Sequence, residues 1–246
     1  MKKKLCLIFL AIVCAIAILP ISAFAQTYTM SGTDMHISLD DTVWYVFTRD
    51  NILNNPELDE FGLTSAQMQE VFDENEAYMD AVLVYDDGDF VELFVRKRAL
   101  DADVVNLTNY SHSDVMDLAE ELAEIHDTQQ YTVYENQFKY ARLEYEDSGY
   151  YICEYVTVVN ADNYTLTFQS YTPFEEWEYE EITNIVDSVR FDVDPTMKEP
   201  KNDSGSIVLE RTLIGAGVGA LSGALGAIAR KKKKKKSEEN NPVENF

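Results

Sequence analysis

The chain has 246 residues, with 44 Asp and Glu against 20 Lys and Arg, a formal net charge of −24 and a pI near 4.3. So acidic a chain is repelled by nucleic acid and by anionic lipid surfaces, which argues against both as partners of its main domain. Its acids alternate with Tyr, Phe, Trp, Val and Leu in periodic patterns, and this distinguishes it from a disordered polyanion.

Residues 1–25, MKKKLCLIFLAIVCAIAILPISAFA, have the three parts of a secretory signal. Lys2, Lys3 and Lys4 give a positive start, Leu5 to Leu19 an apolar run, and Ala23-Phe24-Ala25 the small-x-small pattern of a cleavage site. Cleavage is expected after Ala25.

Gln26 to Ser206 holds 40 Asp and Glu against 9 Lys and Arg, a charge of about −31, and is long enough for one substantial core. The folded domain is expected over 26–193, with a Pro- and Gly-containing stalk over 194–206. TYTMSG and MHISL read as a short hairpin. In LTSAQMQEVFDENEAY, Thr64 and Gln67 form a capping box, Leu63 and Met68 a hydrophobic staple, and Met68, Val71 and Phe72 a buried stripe. MDAVLVYDDGDFVELFVRKR reads as a hairpin turned at Asp87-Gly88.

A second helix follows in YSHSDVMDLAEELAEIH. Ser111 and Asp114 repeat the box, and Val115, Leu118, Ala119, Leu122 and Ile125 share a face. YTVYEN and KYARLEYED add strands. YICEYVTVVNADNYTLTFQS predicts a hairpin around Ala161-Asp162, with Tyr164, Leu166 and Phe168 facing the core and Thr165, Thr167 and Gln169 facing away. A third helix is expected in YTPFEEWEYEEITNIVDSVRF. Thr172 caps it, Pro173 takes its first position, and Phe174, Trp177, Ile182, Ile185, Val186 and Val189 form its stripe.

The order β-β-α-β-β-α-β-β-β-β-α predicts an α+β class: an antiparallel sheet packed by about three helices, without parallel crossovers. This order, with the closing run Ile185-Val186-Asp187-Ser188-Val189-Arg190-Phe191, resembles the Mog1/PsbP-like fold over residues 28–192. The resemblance implies an α/β/α sandwich and a binding or assembly role shared with exported bacterial domains. It brings no catalytic residues with it.

Beyond the stalk, Thr212 to Ala229 is 18 residues without a charge, about 27 Å of helix against a hydrocarbon core of roughly 30 Å. A transmembrane helix is expected over 207–229. Arg230 and Lys231 to Lys236 open a basic tail, 230–246, that stays cytoplasmic and leaves the acidic domain outside. Gly215, Gly219 and Gly223 fall on one helical face, where a second copy could approach closely.

Candidate chemistry is sparse. Arg96-Lys97-Arg98 is the basic cluster of the external domain and a candidate docking point for an anionic partner or an acidic patch on a second copy; a solvated strand end is the plainer reading. Asp86, Asp87 and Asp89 surround a turn and could offer calcium oxygen ligands, though the twelve-residue EF-hand spacing is lacking. His36, His112 and His126 show no zinc-ligand spacing. Cys153, the one cysteine left after signal removal, lies in a strand rich in Tyr and Val and is expected to be packed in the sheet. No metal, cofactor or catalytic constellation is expected.

These features predict a membrane-anchored extracytoplasmic binding or adaptor module of the bacterial cell envelope, with another envelope or extracellular protein as partner and self-association through the span. The alternative is a surface enzyme acting on envelope glycan or peptide, which needs two carboxyls facing one cleft.

Overall fold

The computed structural model describes residues 25–86, 88–100 and 106–192. The signal region before Ala25, Asp87, the stalk, the expected membrane helix with Gly215, Gly219 and Gly223, and the basic tail lie outside the described residues. Among the described residues no helix is long and apolar enough to cross a membrane.

Among the described residues, ten strands and four α-helices make a mixed α+β domain. A small sheet has the order β1-β2-β10, from β1 (Ala25–Thr29), β2 (Met35–Asp40) and β10 (Arg190–Phe191). A seven-stranded sheet has the order β3-β4-β5-β9-β8-β7-β6. Its strands are β3 (Trp44–Thr48), β4 (Ala77–Val84), β5 (Phe90–Ala99), β6 (Gln130–Glu135), β7 (Lys139–Asp147), β8 (Tyr150–Val159) and β9 (Asp162–Ser170). Among the described residues every strand pairing is antiparallel; five join successive strands as hairpins, and β2–β10, β3–β4 and β5–β9 join strands further apart in the chain.

The helices are α1 (Glu57–Phe61), α2 (Ser65–Glu74), α3 (His112–Ile125) and α4 (Glu176–Ser188). The α2 and α3 starts follow the sequence. Thr64 accepts from the Gln67 N–H at 3.3 Å, and Ser111 from the Asp114 N–H at 3.2 Å. The start of α4 is corrected. Its N-cap is Glu175, because the Ser170 hydroxyl accepts the Thr172 N–H at 3.2 Å and holds Thr172 in a bend at the exit from β9. The Glu178 carboxylate accepts the Glu175 N–H at 2.6 Å and closes the first turn.

Four further features depart from expectation. β3 and α1 are additional, and α1 ends at Gly62, whose left-handed φ of 69° turns the next peptide so that the Leu63 N–H reaches back to the Leu58 carbonyl at 3.0 Å. Val-Arg-Phe leaves the helix, and Arg190 and Phe191 pair with His36 and Met35 of β2. The β8–β9 turn is Asn160-Ala161, with φ of 53° and 63°, one residue before the expected pair.

Both faces of the large sheet are covered. One packs against α4 and the small sheet through Leu93, Tyr155, Leu166 and Phe168, meeting Ile37, Ile182 and Val186. The other carries two apolar clusters. Phe47, Val82, Phe90 and Phe94 lie under α1 and α2, and Ala141, Leu143, Val156 and Val158 under α3. The expected one-sided sheet is therefore corrected: Thr165, Thr167 and Gln169 are buried as well. Ile125 and Trp177, placed by periodicity on buried stripes, are 47% and 46% exposed, Ile125 as the last residue of α3 and Trp177 in the first turn of α4.

Candidate functional site

Strand alternation separates the basic cluster. Arg96 turns toward the α2–α3 side, where its guanidinium donates to Thr167 Oγ1 at 3.1 Å and meets Glu154 Oε2 at 3.4 Å. Lys97 turns to the opposite face, bonds Asp162 at 2.7 Å and the Gly32 carbonyl at 3.1 Å, and lies over the Tyr164 ring. Arg98 is the exposed member. The triplet is thus one tethered, largely covered cation, one cross-strand pair and one surface residue.

At the DDGD turn, the Tyr85 N–H bonds the Asp89 carbonyl at 2.9 Å and the Gly88 N–H the Tyr85 carbonyl at 3.1 Å. Asp87 lies outside the described residues, and among the described residues no group of three His, Cys, Asp or Glu could hold a metal ion.

Buried polar groups fill the middle of the sheet. Asp80 and Glu92 are sealed in the core, and Gln169 donates to Glu92 at 2.8 Å. Burial, reinforced by the neighbouring Glu92 charge, pushes the Asp80 carboxyl well above the usual carboxylate range. Cys153 is fully buried. Burial outweighs the attraction of the nearby Arg142 guanidinium and pushes its thiol up to about 12, far from a reactive thiolate. His126 caps α3, stacked on Tyr145 at 3.8 Å, and burial lowers its pKa. Asn106 in Asn106-Leu107-Thr108 and Asn163 in Asn163-Tyr164-Thr165, the two Asn-x-Thr sequences of the domain, are buried at 1% and 3% exposure and closed to glycan transfer in the folded state.

The open constellation lies elsewhere, in a groove between β6–β7 and α4. A cavity of about 310 Å³ is lined by Thr132, Tyr134, Arg142, Glu144, Tyr155, Tyr179 and Thr183. A second, of about 440 Å³, shares Glu144 and Tyr179 and continues past Phe174, Thr128 and His126. The Arg142 guanidinium lies 5.7 Å from the Tyr155 ring and 5.6 Å from the Tyr179 ring and is paired with Glu144. The Tyr179 hydroxyl donates to the other Glu144 oxygen at 2.6 Å. Tyr134 donates to Asp187 at 2.7 Å; burial and then that carboxylate push its phenol up to about 12.

Sequence reasoning missed this groove. KYARLEYED places Tyr140, Arg142 and Glu144 on one strand face, and a charged pair in a row that begins with a buried Tyr was the available signal. What remained hidden was α4, which brings Tyr179 and Asp187 to that row from more than thirty residues away. Chemically, the groove offers phenol edges, aromatic faces and a neutralised Arg–Glu pair, a surface suited to recognition. The carboxyl with the strongly raised pKa, Asp80, is in the core and opens on no cleft.

Compared with protein-family models, curated proteins and solved structures, the chain matches none.

Proposed function

We propose that this chain is a membrane-anchored extracytoplasmic binding or adaptor module of the bacterial cell envelope, with a Mog1/PsbP-like core. A cleaved signal delivers it, residues 207–229 hold it, and the basic tail stays inside. The observation that carries the binding role is the tyrosine-lined groove, whose polar groups hold one another in place: Arg142 on Glu144, Tyr179 on Glu144, Tyr134 on Asp187. Such a rigid, mixed aromatic and polar wall recognises a partner at little ordering cost.

The test is photocrosslinking in intact native cells with the full-length protein. A photoreactive residue at Thr183, on the groove, is compared with one at Leu53, a distant site that is 75% exposed. A specific protein captured from Thr183 and lost with Tyr179→Ala supports the module. No specific capture, together with release of fragments from purified envelope glycan or peptide, would replace it with the enzyme reading.

A further inference from the structure

The large sheet ends in two edges, and they are treated differently. At β3, Asn51 closes the edge: its side chain accepts the Thr48 N–H at 2.8 Å and donates to the Val46 carbonyl at 2.9 Å. At β6 no described residue supplies such a cap. β6 reads QYTVYE, six residues without Pro, Lys or Gly, and pairs with β7 without a register shift. Pro, Lys and a bulge, devices that commonly block strand addition, are thus absent from it, and its one charged residue is Glu135 at the end.

The outward groups can be assigned. The Asn136 N–H bonds the Phe138 carbonyl at 3.0 Å, on the β7 side of the hairpin. Antiparallel alternation then turns the backbone N–H and C=O groups of Tyr131, Val133 and Glu135 away from β7. Both sides of this edge are acidic. Glu120 and Glu124 of α3 face Tyr131, while Asp187 of α4 holds Tyr134, and Glu135 ends the strand beside His112. Thr132 and Tyr134 also line the groove, so the edge and the groove form one continuous surface.

We propose that β6 receives an extended, lysine- or arginine-rich segment of a partner protein as an eighth strand of the large sheet. Main-chain bonds to Tyr131, Val133 and Glu135 hold the segment. One row of its side chains meets Glu120 and Glu124, and the other enters the groove among Tyr134, Tyr179, Glu144 and Asp187. Affinity comes from the main chain and selection from the alternating side chains. Charge decides against a second copy, since pairing β6 with itself would bring together two domains of about −31 each. This inference rests on the binding-module reading and names its partner.

The test uses full-length protein in zwitterionic nanodiscs and the capped peptide acetyl-Lys-Thr-Lys-Thr-Lys-Thr-Lys-amide. Binding is expected to slow amide exchange at Tyr131, Val133 and Glu135. N-methylation of alternate peptide amides should weaken binding at least tenfold with peptide charge unchanged. Val133→Pro, which removes one outward N–H from an edge position that tolerates Pro, should do the same. Equal affinity for the N-methylated peptide, or exchange protection away from β6, overturns the proposal whatever the fold of the Pro variant. If the Thr183 crosslink in cells persists with Val133→Pro, strand addition fails and the binding module stands. If neither the peptide nor any cellular protein is bound, both fail.

Discussion

Arg96 and Glu154 face each other across the β5–β9–β8 part of the sheet, 3.4 Å apart, with side chains only 14% and 4% exposed. Thr167 bridges them, giving its hydroxyl to Glu154 at 3.0 Å and receiving Arg96 at 3.1 Å, and Tyr145 adds a bond to Glu154 at 3.2 Å. A cation that resembles a docking point in the sequence is, in the fold, the counter-charge of a buried acid.

Arg96→Ala should therefore destabilise the domain by about 3–5 kcal/mol, since it leaves Glu154 buried and uncompensated. Arg98→Ala, on the surface, should cost about 1 kcal/mol or less. Urea unfolding of the two variants compares them directly. Equal costs would remove Arg96 from the core. The same geometry means that reversing all three charges of 96–98 tests folding before it tests any partner.

Asp80 predicts a pH dependence. Its folded pKa is raised, so its favourable contribution is fully present below the unfolded carboxyl pKa, near 4, and is lost as pH rises through the raised folded value. Asp80→Asn removes this loss. Its melting temperature relative to wild type should improve between pH 5 and pH 8 by at least ~2 °C, roughly 1 kcal/mol at this size. The wild-type comparison cancels the repulsion among the many other carboxylates. Parallel pH profiles would show that Asp80 does not titrate in this range.

Cys153 should be silent. With its thiol pushed up to about 12 by burial, the folded protein should not react with an aromatic disulfide reagent at pH 8, while denatured protein reacts at this position. Measured on the protein after signal cleavage, rapid labelling of the folded form would contradict the packing of β8.

Ala161 occupies φ of 63° beside Asn160 at 53°, a two-residue turn in which both positions are left-handed. Asn-Gly is the favoured pair for such a turn. Ala161→Gly should raise stability by about 1 kcal/mol, since the left-handed conformation costs a non-glycine residue roughly that much. An unchanged or lower urea midpoint would mean that the strain is relieved elsewhere.

Local chemistry was legible wherever it is settled within a few residues. The boxes at Thr64 and Ser111 depend on side chains three positions apart, and the β4–β5 hairpin on two alternating strands around Gly88. Thr172-Pro173 misled because the competing bond came from Ser170, the last residue of β9. β3 is short, and neither Asn51, which closes its edge, nor β4, which pairs with it, leaves a mark on the five residues of the strand.

By itself the sequence determined the α+β class, the antiparallel strands, two helix caps and the burial of Cys153, because periodicity and capping act over one or two turns of chain. Tertiary structure alone decided that both faces of the sheet are covered, that Arg96 meets a buried Glu154, and that Tyr134, Arg142, Glu144 and Tyr179 meet in one groove. Those outcomes depend on contacts between segments far apart in the chain, and the residue pattern of one strand does not show which partner will lie against it.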